Sequence, residues 1–581
     1  MTKETIKDAA PATEHGVGAA APTSSKAPAR RPVVRWMLPS LESIVFCFVL
    51  LGVILLGQSH IPGGNGDTAL HLRLGNDILL RGSLVPTNTL TQAGYGQPLL
   101  AWEWLSDVIF AGIWHFFGLN GLLAVVGLVV ALTALFLLRA VRKRGAPLLL
   151  TLPLTIAGIT LTSIDWSATP TIFSLPLTLW WSEQLWAYWQ TNNARKLWPL
   201  PFVLAIWANL DSGSIVGLIM LMVATMLVWL FPNAASTRNV EARQWQLTRA
   251  SGACLVALLL TPWGITGFTH ISAYFANRIL PGQPGGALAP DVHQYSGQIF
   301  LLLILLLGAC GILRGWLVGG RAAQPADPRS TEQQRTLARM ATREPGALGW
   351  ALAGVFTALA FFSPNLLALW GVIVAPIMGR ELTSWTAEWA SADLPGRLTR
   401  FCQALFRLSW RAEAREQRLR SVLWSGVALV FVLVLLINQG TFPGSTTPVL
   451  NAQFSSDALP VEALQTIMHG AIPGHTLPQG AGFTVIDWAD YLEWALPQHR
   501  IMIDSRIDFF DANTLNDYQT LLNGLPGWDQ IINAYGIRWL LVPSTVPLAQ
   551  VITLARGWLC QEADTHHIAL LCVPAPTLPI T

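Results

Sequence analysis

LLAWEWLSDVIFAGIWHFFGLNGLLAVVGLVVALTALFLLRAVRKR, residues 99–144, decides how this chain meets a membrane. Its second half, Leu119 to Leu138, is an uncharged apolar run long enough to cross a hydrocarbon core of about 30 Å. The first half, Leu99 to Gly118, is as long but carries Glu103, Asp107 and His115. If both halves crossed, Arg139, Arg142, Lys143 and Arg144 would lie outside the cell, against the preference of Lys and Arg for the cytoplasmic side. The expected reading is therefore an interfacial or re-entrant helix over Leu99 to Gly118, followed by a true span.

Working outward, the same reasoning gives ten more spans: Leu41 to Gly57, Pro147 to Ile164, Thr171 to Trp189, Leu197 to Leu210, Ile215 to Phe231, Ala250 to Pro262, Ile299 to Leu313, Leu348 to Phe362, Leu366 to Ile377 and Val422 to Ile437. Eleven spans with a cytoplasmic N-terminus put 23 Lys and Arg in cytoplasmic connections, against Arg73, Arg81 and Arg278 outside. Composition agrees. Of 581 residues 52% are hydrophobic and 12% charged, mean hydropathy is +0.45 and there are 26 Trp; a soluble protein carries about 25% charge. An ordinary soluble enzyme is excluded, and nucleic acid is not an expected partner.

The expected fold is an α-helical polytopic membrane protein in three parts: residues 1–39, an Ala/Pro-rich disordered cytoplasmic tail; residues 40–438, the transmembrane domain with two interfacial helices in its first outer loop; and residues 439–581, an extracytoplasmic α/β domain. In that last part FTVID, RIMID and IRWLLVP read as strands, ADYLEWAL and PLAQVITLA as helices, and two closing strands flank QEADTHH. The second interfacial helix lies in TALHLRLGNDILLRG, where Leu70, Leu74, Ile78 and Leu79 are expected to share a membrane-facing side. The expected localisation is the cell membrane.

On this topology Asp67, Glu103, Asp107, Asp165, Asp211, Asp291 and His293 gather on the outer side. Glu183, the one acid well inside a span, falls near the cytoplasmic end, so no charged route crosses the midplane as ion-coupled transport would need. Asp67, in GGNGDTALH, is placed to act as general base on an acceptor hydroxyl or to hold a metal; taken alone, an N-cap role accounts for it better. Glu103, among apolar neighbours, suits acid/base work if burial raises its pKa, or else snorkels beside belt tryptophans. His71 and Arg73 are candidates for a lipid phosphate, against ordinary headgroup contact. Asp107, Asp165 and Asp211 are candidates to line a substrate cleft, although Asp165 and Asp211 also serve as polar ends to outward-running helices.

The order of these features resembles bacterial multi-spanning proteins of the GT-C glycosyltransferase superfamily. The resemblance rests on GDTALHLRLGNDILLRGSLVPTNTLTQAGYGQPLLAWEWL (residues 66–105), WANLDSG (207–213), SPNLLALW (363–370), VIDWADYLEW (485–494) and IMIDSRIDFF (501–510). It implies two juxtamembrane helices and an active-site acid in the first outer loop, which match the two interfacial segments and Asp67. It also implies transfer of a sugar from a polyprenyl-phosphate carrier, embedded in membrane lipid, to an acceptor outside the cytoplasm, with inversion at the sugar carbon. This chain departs from the family at Trp102 and Asp211, where histidines are usual, and at Ser363 and Pro364, where an arginine is usual. The first loop has no DxD, so neither a metal nor any other cofactor is inferred beyond the lipid-linked donor itself. A non-enzymatic scaffold on the same fold is the alternative class, and a transporter a third.

Six cysteines occur without a CxxC or Cys/His cluster, against zinc or dithiol redox chemistry. Cys47, Cys254, Cys310 and Cys402 read as buried hydrophobes. Cys560 and Cys572 are equidistant from His566, so an antiparallel pair turning there would set them face to face, where a disulfide can form. In IMIDSRIDFF, alternation along a strand would place Asp504, Arg506 and Asp508 on one face, with Arg506 pairing both acids.

Overall fold

The computed structural model describes residues 37–61, 64, 66–232, 239–267, 290–318, 336–337, 340, 346–363, 365–391, 396–416, 421–468, 477–564 and 567–575. The expected N-terminal tail up to residue 36, Arg278 and Pro364 lie outside them. The membrane part contains helices α1 (Leu41–Leu56), α2 (Asp67–Arg81), α3 (Trp104–Lys143), α4 (Leu148–Thr162), α5 (Thr171–Thr191), α6 (Leu200–Leu210), α7 (Ser214–Leu230), α8 (Val240–Ala257), α9 (Tyr295–Val318), α10 (Ala347–Phe362), α11 (Asn365–Ser391), α12 (Arg397–Glu416) and α13 (Leu423–Ile437).

Each expected span coincides with a helix, with shifted ends: α8 begins before Ala250 with a polar half, and α11 continues past Ile377. Among the described residues, four segments are long and apolar enough to cross a membrane, Trp104–Lys143, Leu148–Asp165, Tyr295–Ile312 and Leu366–Ser391. Leu41–Leu56, Ser214–Leu230, Ala347–Phe361 and Leu423–Ile437 are shorter apolar helices. The chain is a multi-pass membrane protein.

Helix α3 carries the decisive stretch. It is interrupted at Gly118, whose φ of 58° and ψ of −155° lie in a region that only glycine enters readily. The break separates the segment with Glu103 and Asp107 at its start from the apolar helix after Leu119. Residues 99–103 are not helical; the helix starts at Trp104. The apolar face of α2 departs further from expectation. Leu70, Leu74 and Ile78 are buried with Val85, Leu90 and Leu99, whereas Leu79 is exposed. That face is covered by protein, chiefly α3, rather than lying on lipid. At Gly75 the two helices meet so closely that a Cβ would overlap the Asp107 carbonyl.

The C-terminal domain comprises β1 (Ala481–Phe483), β2 (Ile537–Pro543), β3 (Leu559–Glu562) and β4 (Ala569–Val573) in the order β1-β2-β4-β3, with β1 parallel to β2 and the other pairs antiparallel. Its helices are α14 (Val461–Met468), α15 (Ile486–Ala495), α16 (Ala512–Leu522), α17 (Trp528–Tyr535) and α18 (Pro547–Arg556). The apolar run of β2 is buried on both faces: Trp539 and Leu541 pack with α14, α15 and Ala69 of α2, and Leu540 and Val542 with α16 and α18. RIMID is not a strand. Ile501 makes single parallel bridges to Gly482 and to Thr91 of the first loop, and the loop amides of Gln92 and Ala93 donate to Ile501 and Met502. The first loop is thus stitched to the domain's edge. A 3-10 turn, Ile507–Phe509, replaces the continuing strand expected around Asp508.

Cys560 pairs with Cys572 in the β3/β4 register, and a disulfide joins them. Cys254, Cys310 and Cys402 are buried as expected; Cys47 is only half-buried, with its thiol donating to the Trp424 carbonyl at 3.3 Å.

Candidate active site

The close approach at Gly75 sets His71, one turn earlier on α2, against the first turn of α3. His71 Nδ1 lies 2.7 Å from Asp107 Oδ1, and Nε2 lies 4.0 Å from Glu103 Oε2. Glu103 directly precedes α3, and Ser212 reaches it from WANLDSG: its amide and hydroxyl donate to Glu103 Oε1 at 3.4 and 3.3 Å. Trp104 Nε1 donates to Asn209 at 2.8 Å and Ser106 Oγ to the Leu210 carbonyl at 2.6 Å, so the first loop and the end of α6 form one unit. Asp211, at the C-cap of α6, is buried; it accepts from the Ser174 hydroxyl and, at 3.0 Å, from the Gly213 amide. Trp207 Nε1 in turn donates to Ser174 Oγ at 2.7 Å.

Electrostatics separate these groups into roles. Burial opposes the His71 cation, but the Asp107 hydrogen bond and the carboxylates of Asp107, Glu103 and Asp67 outweigh it and carry the ring up to about 9. Burial, then the neighbouring Asp211 carboxylate, pushes Glu103 up to about 8. Burial also raises Asp211, against hydrogen bonds from Ser174, Glu103 and Gly213. At neutral pH this favours a charged imidazolium on His71 and a neutral carboxyl on Glu103.

Asp67 is the first residue of α2, with Gly66 at the N-cap, so the capping role considered for Asp67 is not the one it takes. It lies one turn before His71 on that helix and within electrostatic reach of it, and of Asp487 and Asp490 in α15. Asp165 is buried in the 3-10 turn Ser163–Asp165 and interacts with Asp211. Asp67, His71, Glu103, Asp107, Asp165 and Asp211 are thus linked in one electrostatic chain. Arg73 is not brought to His71: it pairs with Asp77 at 3.2 Å and lies within electrostatic reach of Glu493 of α15. Asp291 and His293 pair with each other in an exposed position. Glu183 pairs with Arg144 at 2.7 Å and Lys143 at 3.7 Å, at the far end of the bundle.

Sequence reasoning missed two features. Ser174 carries no motif, and Ser212 was legible only as part of WANLDSG. Beside α2, Arg506 pairs with Asp504 and donates to Asn88 of the first loop at 3.1 Å, while the Ser505 amide donates to Asp490 at 3.1 Å. Buried Glu493 completes that group; burial and then Asp504 hold its carboxyl well above the ordinary range.

An apolar groove of about 820 Å³ lies between α1 and α4, lined by Ile44, Phe48, Leu152 and Ile156 and by Ser163 and Ile164 of the turn that holds Asp165. Among the described residues no group of three or more His, Cys, Asp or Glu is arranged to hold a metal ion.

No protein-family model matches the chain, and no curated protein matches it. In structure, three solved chains match it over most of its length. The oligosaccharyltransferase of Archaeoglobus fulgidus, solved tethered to an acceptor peptide with an NVT sequon, matches with a TM-score of 0.44 and 9% identity over 86% of this chain and 68% of its own. ArnT of Cupriavidus metallidurans, bound to undecaprenyl phosphate, matches with a TM-score of 0.41 and 14% identity over 92% of this chain and 98% of its own. Its apo form matches with a TM-score of 0.42, 14% identity and 91% and 97% coverage. Identities this low say nothing of substrate.

Proposed function

We propose that this chain is a membrane glycosyltransferase that moves a sugar from a polyprenyl-phosphate carrier to an acceptor outside the cytoplasm, through eleven spans with a cytoplasmic N-terminus and an extracytoplasmic C-terminal domain. The observation that supports it best is a juxtaposition: an apolar groove, suited to a lipid tail, is lined by the turn that holds Asp165, whose carboxylate interacts with Asp211 of the Glu103 and His71 cluster. A lipid-linked sugar needs an apolar groove for its tail beside a polar site for its phosphate and reacting carbon.

In this reading the acceptor hydroxyl attacks the anomeric carbon and gives its proton to Asp67 as general base. The bond from that carbon to the phosphate oxygen breaks with inversion, and both bonding electrons leave with the polyprenyl phosphate. The His71 imidazolium, held charged by Asp107, offsets the charge gathering on that phosphate. Neutral Glu103 donates a hydrogen bond that orients the site, while Asp165 and Asp211 line the sugar pocket. Arg73 is retained as a phosphate contact only if its Asp77 partner exchanges. Photo-crosslinking with a polyprenyl phosphate carrying a diazirine in its tail tests the placement: adducts on α1 and α4 support it, and adducts confined to other helices overturn it.

A further inference from the structure

Helix α12 lies at the other end of the bundle and takes no part in that chemistry. Its position is fixed by three contacts: the Leu41 amide at the start of α1 donates to Glu416 at 2.7 Å, Arg142 pairs with Glu413 at 3.4 Å, and the Leu149 amide donates to Ser409 at 3.4 Å. Just beyond it, Ser43 of α1 donates to the Ser421 carbonyl at 2.6 Å before α13 begins. The helix therefore sits at the level where the apolar runs of α1 and α13 start.

Its sequence divides into three stripes at helical spacing. Thr399, Cys402, Phe406 and Ser409 are buried against the bundle. Leu398, Phe401 and Leu408 form a second stripe, exposed by 38, 62 and 54%, beside Leu405, which packs partly against Cys402 and Phe406 and their neighbours. Arg397, Arg400, Arg407 and Arg411 form a third, all exposed, with Arg415 beyond them. Both acids of the helix, Glu413 and Glu416, are used inward on α3 and α1, so the outward charge is wholly positive.

We infer that α12 is a binding surface for anionic phospholipid, its apolar stripe entering the bilayer boundary and its arginines taking headgroup phosphates. Charge complementarity selects this occupant: an apolar stripe alone would fit a neutral membrane or a protein, but an apolar stripe flanked by arginines, at the height of the bilayer boundary, fits anionic headgroups.

The test uses the full chain in nanodiscs of phosphatidylcholine, with or without phosphatidylglycerol, and a spin label at Phe401→Cys in a background lacking the four free cysteines. The label is expected to be more accessible to oxygen than to a water-soluble nickel complex. Greater access to nickel means that the helix stands in water, and exclusion of both reagents means that a second protein surface covers it; either overturns the inference. Phosphatidylglycerol affinity, titrated in detergent by native mass spectrometry, is expected to fall about fivefold for each of Arg397→Gln, Arg400→Gln, Arg407→Gln and Arg411→Gln. Unchanged affinity in the fourfold variant, with thermal unfolding as in the parent, also overturns it.

Discussion

Replacing Asp107 by Asn removes the charge that holds His71 protonated while keeping the side chain's shape. The lift of the ring from 6.5 to about 9 favours the cation by about 3 kcal/mol, at ~1.4 kcal/mol for each tenfold in proton affinity. Asp107 supplies the leading favourable contributions, its hydrogen bond and its charge, so Asp107→Asn is expected to return about 2 to 3 kcal/mol of this and to bring His71 most of the way back to its ordinary value. The sign for stability follows. The folded pKa of His71 lies above the unfolded one, so the His71 cation's contribution is present below pH 6.5 and is lost as the pH rises through about 9, while burial, which raises Asp107, limits the pair on the acid side. Parent and variant should therefore differ most in thermal unfolding near pH 6 and converge near pH 10. The primary assay is NMR of 13Cε1-labelled histidine in micelles, with the His71 signal assigned by its loss in His71→Gln. If that ring titrates near its ordinary pKa with Asp107 present, or if Asp107→Asn leaves it unmoved, the charge-pair reasoning is wrong.

Other outcomes follow from the same geometry. Glu103→Gln should keep transfer near the parent's level at neutral pH and abolish the decline expected as pH rises through about 8, because Gln mimics the neutral carboxyl; an unaltered decline would assign it to another group. Gly118→Ala, at a backbone conformation alien to L residues and with open space around the site, should cost about 1 to 3 kcal/mol of stability, read by scanning fluorimetry, and an unchanged melt would contradict the kink. Replacing both Cys560 and Cys572 by Ala should cost about 3 kcal/mol in the C-terminal domain, measured by limited proteolysis with and without reductant on the parent; equal protection would show the bridge to be idle. For topology, an impermeant thiol reagent on intact cells should modify Leu554→Cys but not Ala414→Cys, both exposed positions, and the reverse pattern would invert the proposed orientation.

What the sequence made legible follows from range. The break near Gly118 was readable because charge placement along one continuous stretch constrains which half can cross. The β3/β4 hairpin was readable because its two cysteines lie within a single turn of each other. The burial of α2 was not: Leu70, Leu74 and Ile78 have the spacing of a helix lying on lipid, and amphipathicity cannot say whether lipid or protein covers a face. What joins the loop to the C-terminal domain, at Thr91 and Ile501, is some four hundred residues away in sequence. For the same reason His71 and Asp107 were each singled out, yet their pairing waited on the contact at Gly75, where a missing side chain leaves no chemical signature. The domain core hid RIMID's irregular path as well, since an apolar stretch reads alike as a strand or as a buried connection.

The central claim is that the outer cluster catalyses sugar transfer from a lipid carrier. Its most direct test is release of polyprenyl phosphate from a radiolabelled polyprenyl-phosphate sugar, with label passing to membrane acceptors, in proteoliposomes holding the parent or Asp67→Asn. The account predicts release with the parent and none above background with Asp67→Asn at equal protein content. Equal release from both, or no release from the parent across the carrier sugars of the donor membrane, would contradict it.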